Sequence, residues 1–268
     1  IGHADIGIAM GSTAVDITKQ AADVVLLDNN IGSIVLAVRE GRAIYDNIKK
    51  FVYYLLTCNS AEVILILICG VIGLPVPITP TNVLWINVIV DVPPALSLGV
   101  DPPDRNIMHR PPRDPSRTFF DVRSVLTIAY QAFVQSVIAL AIYWVFIVVE
   151  EPGALSIAYG RSSNYESASS SFISEANESL CHGRSLALCT ITFLQLVHSF
   201  MARSLRLEPQ NPCRPPNKVL VFGVVFGAAF MVASIYVPGF NAFVDQHFLT
   251  WFDWLKIAVG VFAYVIII

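Results

Sequence analysis

Residues 51–73, FVYYLLTCNSAEVILILICGVIG, and residues 82–100, NVLWINVIVDVPPALSLGV, decide how this chain is read. Each is close to the roughly 20 apolar residues that an α-helix needs to cross a bilayer. Yet each carries an amide and a carboxylate in its interior. Asn59 and Glu62 are three apart and share a helical face, while Asn87 and Asp91 are four apart. A carboxylate at the bilayer centre costs about 3 kcal/mol or more, so two of them in neighbouring spans point to a shared site. Val92, Pro93 and Pro94 follow Asp91 directly. Consecutive prolines remove backbone donors and leave carbonyls near Asp91 without helical partners. Irregular backbone at membrane depth is tolerated where it lines a cavity or binds an ion. Two carboxylates, two amide oxygens and freed carbonyls make a hard, all-oxygen donor set that suits calcium better than a soft metal. The same side chains also fit an ion-free hydrogen-bond network between helices, and residue chemistry alone leaves that alternative open.

The rest of the chain agrees with a membrane setting. It is 55% hydrophobic and 14% charged, where a soluble domain carries roughly 25% charged residues. Six apolar stretches approach spanning length: about 51–73, 82–100, 122–149, 185–202, 218–237 and 251–268. The net charge of -3 and the lack of a Lys/Arg run exclude nucleic acid as a partner and leave the lipid bilayer as the expected one. The five cysteines, Cys58, Cys69, Cys181, Cys189 and Cys213, form no C-x-x-C pair, so neither a zinc site nor a disulfide framework is expected.

Loop charge predicts the orientation. Arg105, Arg110, Arg113 and Arg117 lie near 101–121, and Arg203, Arg206 and Arg214 near 203–217. By the positive-inside rule these loops, and with them the N-terminal part, are cytoplasmic. The 150–184 loop, with Arg161 and Arg184 among five acidic residues, is then lumenal or extracellular. Its Asn177-Glu178-Ser179 sequon is a candidate glycosylation site there. Trp144, Trp251 and Trp254 near span ends read as interfacial anchors. Gln195 and His198, three apart in the fourth span, either extend the ion site or bond a neighbouring helix.

The first 50 residues differ in character. Asp5–Gly11 and Ala22–Leu27 read as short strands bounded by Gly and Asp, and 31–47 as a helix running through Lys49 and Lys50 into the first span. The opening IGHADIGIAMG has no basic stretch followed by an apolar core, so it reads as the interior of a longer chain and not as a secretory signal.

The stretch ADIGIAMGSTAVDITKQAADVVLLDNNIGSIVLAVREGRAIYDNIKKF resembles the end of the phosphorylation domain of type II P-type ATPases and its join to the fifth membrane helix. LLTCNSAEV resembles the ion-binding fifth helix of that family, and LWINVIVDVPPALSLGVDPPDRNIMHRPPR its sixth helix and following loop. The resemblance covers nearly the whole chain and extends to reticulum-type and secretory-pathway calcium pumps. It implies a mainly α fold: residues 1–48 as the C-terminal part of a cytoplasmic, haloacid-dehalogenase-like phosphorylation domain, and 49–268 as a cation-transport domain of about six transmembrane helices, the fifth to tenth of the family.

The resemblance also implies a function. Asn59, Glu62, Asn87 and Asp91 match metal ligands of the calcium pumps, and Gln195 falls near an eighth-helix carboxylate. Val90 stands where the two-calcium pumps have a threonine ligand. Pro-Pro-Ala after Asp91 is similar to the secretory-pathway type, which moves calcium or manganese, and His198 beside Gln195 suits proton countertransport. Calcium therefore leads as the transported ion, with manganese and monovalent cations behind it. ATP and magnesium would bind the missing N-terminal half of the same protein, where a DKTG aspartate is phosphorylated, so this stretch alone carries no catalytic residue. A passive ion-conducting helix bundle is the rival reading.

Overall fold

The computed structural model describes residues 3–11, 14–28, 30–104, 106–112, 119–151, 170–203, 217–244 and 246–268. The predicted roles of Arg105, Arg113, Arg117, Arg161, Arg206, Arg214 and Cys213 lie outside the described residues. The chain divides into two compact units, Ile1–Asp46 with Pro102–Arg113, and Asn47–Asp101 with Asp114–Ile268.

The first unit holds both predicted strands. Strand β1 (Ile8–Met10) pairs in parallel with β2 (Val24–Leu26), and helix α1 (Asp16–Gln20) makes the crossover between them. The Asp23 carboxylate accepts the Gly7 amide at 2.8 Å and so satisfies a donor at the strand entry. Helix α2 (Ile31–Ile72) starts behind Asn30, whose side chain accepts the Gly32 N–H at 2.9 Å as an N-cap. In the same unit Arg42 donates to the carbonyls of Ile107 and Arg110, each at 2.9 Å, and Arg110 bridges Asp46 and Asp104.

The second unit is helical among the described residues. Helix α2 ends in a left-handed Gly73 at φ 80°, with the Leu74 N–H reaching back to the Cys69 carbonyl at 2.8 Å. This is the glycine-terminated cap that a β-carbon would strain, and Pro75 prevents continuation. Helix α3 (Pro80–Trp85) opens with Thr79 as N-cap and Pro80 at its first position. A π-helical turn, Ile86–Val90, follows, and then α4 (Val92–Gly99). The second span is therefore one 20-residue segment whose hydrogen bonding changes pattern in its middle.

The remaining helices are α5 (Val122–Trp144) with a π-helical extension Val145–Glu150, α6 (Ser170–Ala202), α7 (Lys218–Tyr236), the short α8 (Phe240–Val244) and α9 (Trp251–Ile267). Five segments among the described residues are long and apolar enough to cross a membrane, and the sixth expected span, α9, has 17 residues. The fourth expected span begins earlier than its apolar stretch, because residues 170–184 are helix where a loop was expected. Their Ser, Ala and Glu residues permit helix but carry no spanning hydropathy, so an apolar-run reading misses them.

Helix α6 is the centre of the unit. Its apolar window is 78% buried, against 33–50% in the other four spans. Leu56, Val63, Leu67, Leu84, Val88 and Phe222 point outward instead. Apolar side chains on the outside and polar ones such as Gln131, Gln135, Ser136 and Gln195 inside are the pattern of a bundle solvated by lipid. The chain is an integral membrane protein.

Candidate functional site

Tyr54, Cys58 and Glu62 follow one another at four-residue spacing and form one face of α2. All three are buried. The site is what this face meets in the neighbouring helices.

Opposite Glu62, both carboxylate oxygens are taken by amides. Asn87 Nδ2 donates to Glu62 Oε2 at 3.1 Å, and Gln195 Nε2 donates to Glu62 Oε1 at 3.0 Å. Gln195 Nε2 also lies 3.4 Å from the Cys58 carbonyl. Asn87 holds a second bond, to the Val83 carbonyl at 3.0 Å, which fixes its rotamer against its own helix. Opposite Tyr54, the phenol donates to Asp91 Oδ1 at 3.0 Å. Glu62, Asn87, Asp91 and Gln195 therefore converge from α2, the interrupted second span and α6.

Two acceptor oxygens here are buried with no hydrogen-bond partner among the described residues: Asp91 Oδ2 and Gln195 Oε1. A buried acceptor left without a donor is costly, and a cation is one group that satisfies it. The backbone adds further oxygens. The Asp91 N–H bonds the Ile86 carbonyl five residues back, at 2.9 Å. Pro93 and Pro94 stand at the positions whose N–H groups would otherwise serve the carbonyls of Ile89 and Val90. Among the described residues no group of three or more His, Cys, Asp or Glu side chains is placed to hold a metal ion. The donors on offer are thus carboxylate, amide and carbonyl oxygen, a hard set that fits an s-block cation and not a thiolate- or imidazole-seeking one.

Close helix packing brings these oxygens together. A β-carbon on Gly223 would sit 2.9 Å from the Pro93 carbonyl oxygen, and one on Gly227 would sit 3.2 Å from that of Val90. Only glycine lets α7 lie this close to the proline break. Val90 itself is fully buried.

Two of the predicted residues fall elsewhere. Asn59 is exposed, and its side chain donates to the Leu55 carbonyl one turn back at 2.8 Å, so the structure does not bring it to the cluster. The three-residue step from Asn59 to Glu62 turns by about 300° around the helix, which leaves the two side chains some 60° apart. The inward face follows the four-residue row through Cys58 instead. His198 is buried but belongs to a neighbouring network. Its Nδ1 is 2.8 Å from Tyr264 Oη, which accepts from Gln135 Nε2 at 2.8 Å, and its ring stacks on Tyr53 and Tyr54. Tyr54 is the site residue that sequence reading missed, although its spacing of eight from Glu62 marks the same face. Gln135 and Tyr264 carry no such signal, because they lie in different spans.

The profile of the family described as "Cation transporting ATPase, C-terminus" matches residues 75–268. The chain belongs to this family. Among its relatives, "Calcium-transporting ATPase 1" of Bacillus cereus is 38% identical over 252 residues, covering 94% of this chain and 27% of the relative. "Endoplasmic reticulum calcium ATPase srcA" of Aspergillus fumigatus is 30% identical over 257 residues, 94% of this chain and 26% of the relative. "Sodium/potassium-transporting ATPase subunit alpha" of Hydra vulgaris is 32% identical over 277 residues, 97% of this chain and 27% of the relative. The chain spans about a quarter of the length of these curated relatives. As a member of the cation-transporting ATPase family it is the membrane part that carries the polar cluster around Glu62 and Asp91.

Proposed function

We propose that the full-length protein is an ATP-driven cation pump, that its cargo is calcium, and that Glu62, Asn87, Asp91 and Gln195 supply part of the cation site. The observation that carries this reading is the convergence of two intramembrane carboxylates from different spans beside the Pro93-Pro94 break, with Asp91 Oδ2 and Gln195 Oε1 buried without a donor among the described residues. The names of the bacterial and reticulum relatives support calcium. The sodium/potassium relative, together with Val90 and the neutral Gln195, supports a monovalent cation as the second reading, with manganese between them.

ATP and magnesium would be held by parts of the full-length protein outside this chain, where an aspartyl-phosphate cycle would run and magnesium would supply the charge neutralisation that phosphoryl transfer needs. The residues of this chain bind and release the cargo. Transport requires that the site hold the cation better in one conformation than in the other. The second span suits that role, since Pro93 and Pro94 remove ladder hydrogen bonds that would otherwise resist a change of backbone arrangement. Protonation of Glu62 or Asp91 after release balances charge in a medium of low dielectric constant. The N-terminal unit and the Arg-rich loops face the cytosol, and 150–184 the other side.

The test is phosphoenzyme formation from ATP by the full-length protein in membranes, with calcium, manganese, sodium or potassium added singly. Stimulation by micromolar calcium supports the reading, and stimulation by sodium or potassium alone replaces calcium with the second one. No phosphoenzyme under any condition contradicts the pump.

A further inference from the structure

At the other end of the same helices, Asp101 is buried among partners on or next to three helices, α2, α6 and α7. Its side chain is fully buried. Lys50 Nζ of α2 donates to Asp101 Oδ2 at 2.7 Å, and Arg203, just past the end of α6, donates through Nε to Oδ1 at 2.9 Å. Asn217 Nδ2 reaches the same Oδ1 at 3.1 Å and the Ser97 carbonyl in α4 at 2.9 Å, while Asn217 Oδ1 caps α7 by accepting from Leu220 N at 3.0 Å. The main chain is held too, because Asn47 Nδ2 donates to the Asp101 carbonyl at 2.7 Å and Asn47 Oδ1 accepts from Lys50 at 3.2 Å.

Lys50 lies on a helix of the cation cluster, Arg203 directly follows another, and Asn217 caps the helix packed against the proline break. Lys50 precedes Glu62 by twelve residues of unbroken helix, about 18 Å along the axis. Asp101 follows the span that carries Asn87 and Asp91, and Arg203 follows the helix that carries Gln195. Asn217 opens the helix whose Gly223 and Gly227 lie against the proline break. A buried ion pair adds little net stability over a well-packed apolar replacement, and its attested use is to specify one arrangement among several. A site that holds a small cation is sensitive to displacements of about 1 Å in its ligands.

We propose that Asp101 is a positioning residue for the cation site, fixing the axial register of α2, the second span and α6 through Lys50, Arg203 and Asn217. The inference rests on the pump reading above. Asp101 touches no cargo, and its effect reaches the ligands along the helices.

The test uses the full-length protein in membranes. Asp101→Asn leaves one oxygen for two cationic partners and is expected to raise the calcium concentration for half-maximal phosphoenzyme formation by about tenfold. The maximum at saturating calcium stays within about twofold of wild type, since cargo that binds still triggers the step. The double variant Lys50→Gln with Asp101→Asn, a neutral hydrogen-bonding pair, recovers part of the shift. An unchanged midpoint, or a lowered maximum with an unchanged midpoint, overturns the proposal. Should Asp101→Asn fail to accumulate, Lys50→Gln alone is expected to shift the midpoint in the same direction by less, and no shift overturns it. If the wild type forms no phosphoenzyme with any cation, the pump reading fails and amide hydrogen exchange decides on Asp101. Faster exchange at residues 86–91 in the variant upholds the positioning role, and equal exchange removes it.

Discussion

The Tyr54 hydroxyl donates a 3.0 Å hydrogen bond to Asp91 Oδ1, which joins the first span to the second one helical stretch away from the Glu62–Asn87 contact. Both residues are fully buried. Asp91 Oδ2, the other oxygen of that carboxylate, has no hydrogen-bond partner among the described residues. The phenol thus holds one oxygen of Asp91, and the proposed cation site draws on the second.

Removing that donor tests the arrangement. Tyr54→Phe leaves a buried carboxylate with less compensation and is expected to lower stability by about 1–3 kcal/mol. Thermal unfolding of the purified full-length protein in detergent measures this, and an unchanged midpoint of unfolding means that the bond is dispensable.

Gln195 offers a gain of charge. Gln195→Glu sets a second carboxylate about 3 Å from Glu62, a spacing at which both ionise together only with a cation between them and otherwise share a proton. The variant is expected to bind calcium more tightly and with a steeper pH dependence than wild type. Half-maximal calcium for phosphoenzyme formation, followed from about pH 6 to about pH 8, reads the change. An affinity and a pH slope equal to wild type would show that residue 195 lies outside the site.

The glycines of α7 control how closely it approaches the proline break. Gly223→Ala places a β-carbon 2.8 Å from Ser97 Oγ and 2.9 Å from the Pro93 carbonyl oxygen. Overpacking of this kind costs about 1–3 kcal/mol. Gly99→Ala, whose added β-carbon meets nothing within 4 Å, is the control. Equal thermal stability of the two variants contradicts the close approach.

Asn59 and Asn87 separate what spacing alone treats alike. Asn87→Ala removes a donor to Glu62 and is expected to raise half-maximal calcium by about tenfold, a loss of about 1.4 kcal/mol. Asn59→Ala removes a bond to its own helix, and its shift is expected to be about threefold or less, within the usual range for an exposed substitution. A larger effect at Asn59 than at Asn87 reverses the assignment of the inward face.

Much of this was legible in the residues. The apolar runs gave the spans, since lipid demands continuous hydropathy, and Glu62 and Asp91 stood out because a membrane interior penalises charge. The start of α6 at Ser170 was hidden, because its first turns are polar and carry no spanning signal. Spacing groups Asn59 with Glu62, because a three-residue step is a near neighbour on a helix, but burial divides that face between Cys58 and Asn59. The π-helical turn at Ile86–Val90 has no simple sequence signature apart from the prolines after it. The tie between Lys50 and Asp101 joins positions 51 residues apart and appears only in three dimensions.

The most direct measurement is ATP-driven calcium uptake by sealed membrane vesicles containing the full-length protein, compared with the same vesicles carrying Asp91→Asn. The proposed calcium site predicts uptake that the wild type supports and the variant loses while still present in the membrane at wild-type levels. Wild-type uptake by Asp91→Asn would contradict it.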